Sequence, residues 1–132
     1  MPGPILYLDS SAIVKLAVPE QETRSLQRLL RSWPETASSV IARIEVTRAA
    51  RRVGDEAVRR ADAALERIAL VELDGDVLDR GASLPPAGLR TLDSIHLATA
   101  LSLGDELGAL CAYDARLAEA ATAAGIDVLA PA

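Results

Sequence analysis

Ile5-Leu6-Tyr7-Leu8-Asp9-Ser10-Ser11-Ala12 is the stretch on which the reading of this chain turns. Four apolar residues follow one another without alternation and stop on an acid. A short continuous apolar run suits a strand covered on both faces, as in a parallel sheet. Ser10 to Leu16 then reads as a short helix halted before Pro19. A buried strand running straight into a helix is the unit from which α/β domains are built.

The alternation repeats outward from this stretch. Glu20 to Trp33 places Leu26, Leu29, Leu30 and Trp33 at helical spacing, and Thr36 to Val40 reads as a second strand. Ile41 to Val53 and Asp55 to Ile68 read as helices separated by Gly54, with Asp55 as a cap. Ala69 to Leu73 is a third strand candidate and Asp76 to Leu84 a helix, followed by the loop Pro85-Pro86-Ala87-Gly88. Thr91 is placed to cap a helix from Leu92 to about Leu103. Ala109 to Tyr113 reads as a fourth strand, Ala115 to Ala124 as a helix closed by Gly125, and Asp127 to Leu129 as an edge strand. The expected class is α/β, with a central, mainly parallel sheet of four to five short strands flanked by helices. The chain of 132 residues reads as a single domain, 1–132.

Composition narrows the function classes. Half the residues are apolar and 25% are charged, which excludes intrinsic disorder. No apolar run reaches the roughly 18 residues of a membrane span, and the N-terminus lacks the pattern of a signal peptide. The single cysteine, Cys111, excludes an internal disulfide and a cysteine-based zinc site, and reads as a small buried residue. The expected location is the cytoplasm. A net charge of −5 argues against a protein that coats nucleic acid, but not against a nuclease whose acidic site takes up a cation. Aromatics are limited to Tyr7, Trp33 and Tyr113, too few for a base-stacking platform.

Two strand candidates end alike, in Leu8-Asp9 and Tyr113-Asp114. Ligands of open α/β sheets sit beyond the carboxyl ends of the strands, so Asp9 and Asp114 are expected at one edge. Glu45 and Asp93 stand out because their neighbours are apolar: Val40-Ile41-Ala42-Arg43-Ile44-Glu45-Val46 and Thr91-Leu92-Asp93-Ser94-Ile95-His96-Leu97. Each acid also has a plain structural role open to it. Asp9 and Asp114 can cap helices, Asp93 can sit in a helix dipole, and Glu45 can pair with Arg43 or Arg48. If the four converge, two like charges about 4 Å apart repel by roughly 4 kcal/mol at an effective dielectric near 20, so either protons or a cation must offset them. Oxygen donors with no cysteine cluster and a single histidine select a hard ion, Mg²⁺ or Mn²⁺. Such an ion polarises a phosphodiester and acidifies bound water, which points to metal-assisted phosphodiester hydrolysis.

The ordered set Leu8-Asp9-Ser10-Ser11-Ala12, then Glu45, then Leu92-Asp93-Ser94-Ile95-His96-Leu97-Ala98-Thr99-Ala100, then Tyr113-Asp114-Ala115-Arg116-Leu117 resembles the PIN-domain family across the whole chain. More narrowly, it is similar to the VapC-type toxin ribonucleases of toxin–antitoxin pairs. The resemblance implies a PIN-like fold and a Mg²⁺- or Mn²⁺-dependent endoribonuclease. It makes Asp9, Glu45, Asp93 and Asp114 the catalytic, metal-binding acids, with Ser10 as a polar helper. It further implies an RNA substrate, a homodimer and a cognate VapB-type antitoxin. The pattern departs at Ala112, where many relatives carry Thr, so Asp9, Glu45 and Asp93 rank above Asp114 as ligands.

Arginine supplies nearly all the basic charge, since Lys15 is the only lysine. Arg43, Arg48, Arg51, Arg52, Arg59 and Arg60 give their segment a local +3 against Glu45, Asp55 and Glu56. Arg90 and Arg116 flank Asp93 and Asp114. These arginines are expected to guide an RNA backbone, with ordinary i,i+4 surface pairing the plainer reading for Arg51 to Arg60. His96 reads as a packed or hydrogen-bonded core histidine and not as a general base. Trp33 and its leucines read as core or partner contacts. Two other functions are open to the same residues. One is a phosphohydrolase with Asp9 as nucleophile, although such sites want a second acid where Ser11 stands. The other is a PIN-like scaffold that binds RNA or a partner without turnover.

Overall fold

The structure, a computed structural model, describes residues 3–132. β1 (Ile5–Leu8) is the centre of the sheet, and all four of its residues are buried. Its side chains divide by the two-residue period of a strand. Leu6 and Leu8 enter one core with Ile13, Leu26 and Val46, while Tyr7 enters the other with Leu97, Leu110 and Leu117. A strand with a hydrophobic core on each side has no position for an exposed polar residue, and hence the unbroken apolar run.

The remaining elements are α1 (Ser10–Ala17), α2 (Thr23–Arg31), β2 (Glu35–Ser39), α3 (Ala42–Arg51), α4 (Asp55–Glu66), β3 (Ala69–Val71), α5 (Gly75–Ser83), α6 (Thr91–Ser102), a 3₁₀ turn (Gly104–Glu106), β4 (Leu107–Cys111), α7 (Ala115–Ala123) and β5 (Val128–Leu129). The strands lie in the order β3-β2-β1-β4-β5, and every pairing is parallel. The chain therefore builds outward from β1 in one direction to β3, then restarts on the other side at β4. The strand order reverses between β1 and β4, and a parallel sheet opens a crevice at such a point. No helix among the described residues is long and apolar enough to cross a membrane.

Several boundaries differ from the sequence reading. α2 begins at Thr23, not Glu20. Glu20 and Glu22 are held against the end of α1 by Lys15, at 2.9 and 3.3 Å, and Thr23 Oγ1 donates to the Lys15 carbonyl at 2.8 Å. β4 begins at Leu107 and ends at Cys111, two residues ahead of its expected limits at both ends. Gly108 interrupts the apolar pattern because the Trp33 ring lies where its side chain would be. The third strand ends at Val71, short of Leu73. Asp74 caps α5 through Val77 N at 2.9 Å. Thr91 is the first residue of α6 rather than its cap; Arg90 occupies the cap position and makes no side-chain capping bond. Asp55 likewise opens α4, with Gly54 at the cap at φ 145°.

Candidate active site

Asp9 leaves the end of β1 and caps α1, Oδ1 accepting from Ala12 N at 3.0 Å. Its plain structural role is therefore real. Ser11 Oγ lies 2.8 Å from both carboxylate oxygens. Asp9 is only 3% exposed, and no salt bridge reaches it among the described residues. Burial pushes its carboxyl above the usual range, opposed by the Ala12 N–H and the Ser11 hydroxyl. Asp93, across the pocket, pushes it further in the same direction.

Asp114 follows β4 and caps α7. Its Oδ1 accepts from Arg116 N at 2.9 Å and Leu117 N at 3.0 Å. The Leu117 N–H leads the effects that hold this carboxyl below its ordinary range, and the charge of Arg90 adds to it. Asp93 stands in the first turn of α6. Glu45 comes from the first turn of α3, and Asp9, Glu45, Asp93 and Asp114 all line one pocket of about 390 Å³. Strand ends β1 and β4 and helix starts α3 and α6 thus surround the crevice that the strand order opens.

Glu45 does not pair with Arg43 or Arg48. Its Oε1 accepts from Ser10 Oγ at 2.6 Å and lies 2.9 Å from His96 Nε2, which is also 3.0 Å from Ser10 Oγ. Burial opposes ionisation of Glu45, but the His96 and Ser10 hydrogen bonds outweigh it and leave the carboxyl below its usual range. His96 is 2% exposed, and its Nδ1 meets the Tyr7 hydroxyl at 2.7 Å. Burial raises the Tyr7 phenol far above its usual range, so it keeps its proton. In the neutral imidazole the network assigns Nδ1 as acceptor from Tyr7 and Nε2–H as donor to Glu45. The reading of His96 as a hydrogen-bonded core residue describes its burial but misses its contact with the site. The three-residue spacing from Asp93, which puts both on neighbouring faces of α6, was the available signal.

Arg90 bridges two of the acids. Its Nε lies 3.2 Å from Asp93 Oδ2 and its Nη2 2.8 Å from Asp114 Oδ2. Arg116 is exposed, and no partner for its side chain is found among the described residues. On the basic segment, Arg59 pairs with Glu56, Arg60 lies 3.7 Å from Glu56, and Arg60 Nε donates to the Ala17 carbonyl at 2.8 Å. Arg60 is thus a strut between α4 and α1. Arg43, Arg48, Arg51 and Arg52 have no ion pair among the described residues.

The donor set suits a hard divalent ion: carboxylate oxygens without sulfur, several of them without a protein partner. Glu45 Oε2 and Asp93 Oδ1 accept no hydrogen bond among the described residues, and the buried charge of Asp9 has no cation of its own. As the side chains stand, no three His, Cys, Asp or Glu groups among the described residues gather closely enough to coordinate one ion. The acids ring the pocket instead of meeting at a point, and ligation requires a rotamer change.

Comparison with known proteins gives a consistent picture. The PIN domain matches residues 6–123. Ribonuclease VapC46 of Mycobacterium tuberculosis is 50% identical over 126 residues, covering 96% of this chain and 97% of its own. Ribonuclease VapC35 of the same species is 38% identical over 131 residues, again covering 96% and 97%. Among solved structures, a chain of a toxin–antitoxin complex from Klebsiella pneumoniae superposes with TM-score 0.73 at 25% identity, covering 96% of this chain and 98% of that one. VapC20 of M. tuberculosis, a toxin that cleaves the sarcin–ricin loop, shares the fold with TM-score 0.71 at 20% identity, covering 96% and 99%. With its parallel sheet, its acids at the strand-order reversal and these relatives, the chain belongs to the PIN-domain family, among the VapC-type ribonucleases.

Proposed function

We propose that this protein is the toxic endoribonuclease of a type II toxin–antitoxin pair, cutting RNA by divalent-metal-dependent hydrolysis. The observation that carries the reading is the meeting of Asp9, Glu45, Asp93 and Asp114 on one pocket, from four separate elements. Asp9, Glu45 and Asp93 would hold Mg²⁺ or Mn²⁺, with Asp114 at the rim. When bound, such an ion supplies Lewis acidity at the phosphodiester and lowers the pKa of water. The chain's own groups do the rest. Ser10 and His96 fix Oε1 of Glu45, which leaves Oε2 for the pocket. Arg90 and Arg116 face the phosphate backbone. Water adds to phosphorus in line, the 3′ oxygen leaves with a proton, and the products carry a 5′-phosphate and a 3′-hydroxyl.

The partner reading follows from the same resemblance. A VapB-type antitoxin is the expected inhibitor, a homodimer the expected assembly, and the cytoplasm the expected compartment. The likeness to a chain from a toxin–antitoxin complex supports the first of these.

The decisive experiment incubates purified protein with RNA in Mg²⁺, in Mn²⁺ and in chelator, and sequences the new ends. Cleavage is expected with either ion and absent in chelator. Asp93→Asn is expected to reduce it by about 100-fold or more while circular dichroism stays unchanged. An Asp93→Asn protein that cuts at the wild-type rate would end this assignment.

A further inference from the structure

Arg90 is the only cation that touches two of the pocket acids among the described residues. Its placement is asymmetric. Asp114 spends Oδ1 on the two N–H groups that start α7, at 2.9 and 3.0 Å, so Oδ2 alone remains for the pocket. Arg90 Nη2 holds that Oδ2 at 2.8 Å. Asp93 gives Arg90 only Oδ2, and its Oδ1 accepts no hydrogen bond among the described residues. Among the described residues, the other side of the pocket, with Asp9 and the Oε2 atom of Glu45, has no guanidinium on it.

Asp9, Oε2 of Glu45 and Oδ1 of Asp93 are free of Arg90, so a rotamer change that gathers them on a divalent ion leaves the guanidinium in place. An ion that also engages Asp114 must first evict the guanidinium. We infer that Arg90 occupies the place of a second metal, so that the site works with one divalent ion and one resident guanidinium. The inference rests on the metal-dependent reading above and deepens it by fixing the stoichiometry and the role of Arg90.

The chemistry of the group suits the role. A guanidinium is planar, stays charged at every relevant pH and carries five N–H donors. Two of its nitrogens face the carboxylates, and Nη1 has no partner among the described residues. That nitrogen is available to a phosphate oxygen while the other two keep their acids. A backbone hydrogen bond ties the position: Ser94 N donates to the Arg90 carbonyl at 2.9 Å, so the main chain is anchored at the start of α6. Only the side chain moves if the group is displaced, and Lys in its place would keep a positive charge but lose the two-pronged bridge.

The test counts ions. Full-length wild type, Arg90→Gln, Arg90→Lys and the double variant Arg90→Gln/Asp114→Asn are titrated with Mn²⁺, and bound metal is read by electron paramagnetic resonance and native mass spectrometry. Wild type and Arg90→Lys are expected to saturate at one ion per chain. Arg90→Gln is expected to take up twice as much, and the double variant to return to one. Two ions on the wild type, or a single ion on Arg90→Gln at any affinity, would overturn the assignment of Arg90 while leaving metal dependence intact. No ion on any of the four proteins would overturn the metal-dependent reading itself, and the place of Arg90 with it.

Discussion

His96 does two things at once, and substitutions can separate them. Its ring links a buried phenol to a carboxylate at the pocket, through 2.7 Å at Nδ1 and 2.9 Å at Nε2. Replacement by Leu leaves the Tyr7 hydroxyl without this partner, at a cost of about 1–3 kcal/mol. At roughly 3–5 °C per kcal/mol for a chain of this size, the melting temperature should drop by several degrees. His96→Gln offers its amide oxygen as an acceptor to the Tyr7 hydroxyl and should recover part of the loss; equal melting temperatures for the two variants would contradict the hydrogen-bond account. Asp9 makes the opposite prediction. Its carboxyl is pushed up by burial, so the folded protein holds its proton more tightly than the unfolded chain. The stability linked to Asp9 is thus full below the ordinary carboxyl value of 3.8 and is lost as pH rises through the higher folded value. Asn at this position still caps α1 and carries no charge. In chelator at neutral pH, Asp9→Asn should therefore melt a few degrees above wild type, and the gap should close as the pH is lowered towards 3.8. A constant gap across that range would show that the charge is not its source. The sequence displayed the acids because acids among apolar neighbours are costly. It hid the links of Tyr7 and His96 to the site because a polar tip in an apolar run looks like packing.

At the level of single elements, the helix starts carry the separable effects. α7 begins on Asp114, whose side chain satisfies two backbone N–H groups. Asp114→Ala should cost about 1 kcal/mol of stability in urea titration, and Asp114→Ser, which can still cap, much less. If Asp114→Ser lowers cleavage as far as Asp114→Ala does, the acid acts in the pocket and not only through α7. On α3 and the turn after it, Arg43, Arg48, Arg51 and Arg52 have no ion pairs among the described residues, whereas Arg59 and Arg60 of α4 are engaged. Converting Arg48, Arg51 and Arg52 to Gln should flatten the salt dependence of RNA binding. The log–log slope should fall by up to about 0.7–0.9 for each phosphate that is no longer neutralised. An unchanged slope would assign these residues to solvation alone. Strand and helix identities were legible because apolar period and Gly or Pro punctuation agree in this chain. Boundaries were less so where a tertiary contact intervenes: the Trp33 ring leaves room only for glycine at 108, which hides the start of β4, and Lys15 holds Glu20 and Glu22 ahead of α2. Of the i,i+4 pairs expected along Arg51 to Arg60, only Glu56 with Arg60 forms among the described residues, and Glu56 is held more closely by Arg59, three residues on.

For the molecule as a whole, the decisive property is that no single segment contains the site. Parallel pairing in the order β3-β2-β1-β4-β5 is what brings residues 9, 45, 93 and 114 together. An ion bound to the folded state alone must stabilise it by RT ln(1 + [L]/Kd), about 2.7 kcal/mol at a hundredfold excess over Kd. Mg²⁺ should therefore raise the melting temperature of the wild type and fail to do so for Glu45→Gln; an equal rise in both would place the ion elsewhere. The fold class could be read from the sequence because unbroken apolar runs imply a doubly covered sheet. The strand order could not, since nothing local in β4 states which neighbour it will choose.

The exposed Pro85–Gly88 loop divides the pocket's chain of origin in half. Asp9 and Glu45 lie before it, Asp93 and Asp114 after it. A gene split at that loop would yield two separately harmless polypeptides, each with half the acids and with β1 and β4 on different pieces. Producing them apart would let the nuclease be prepared as two inactive parts, and RNA cutting on mixing would give a direct gauge of how well the halves rejoin.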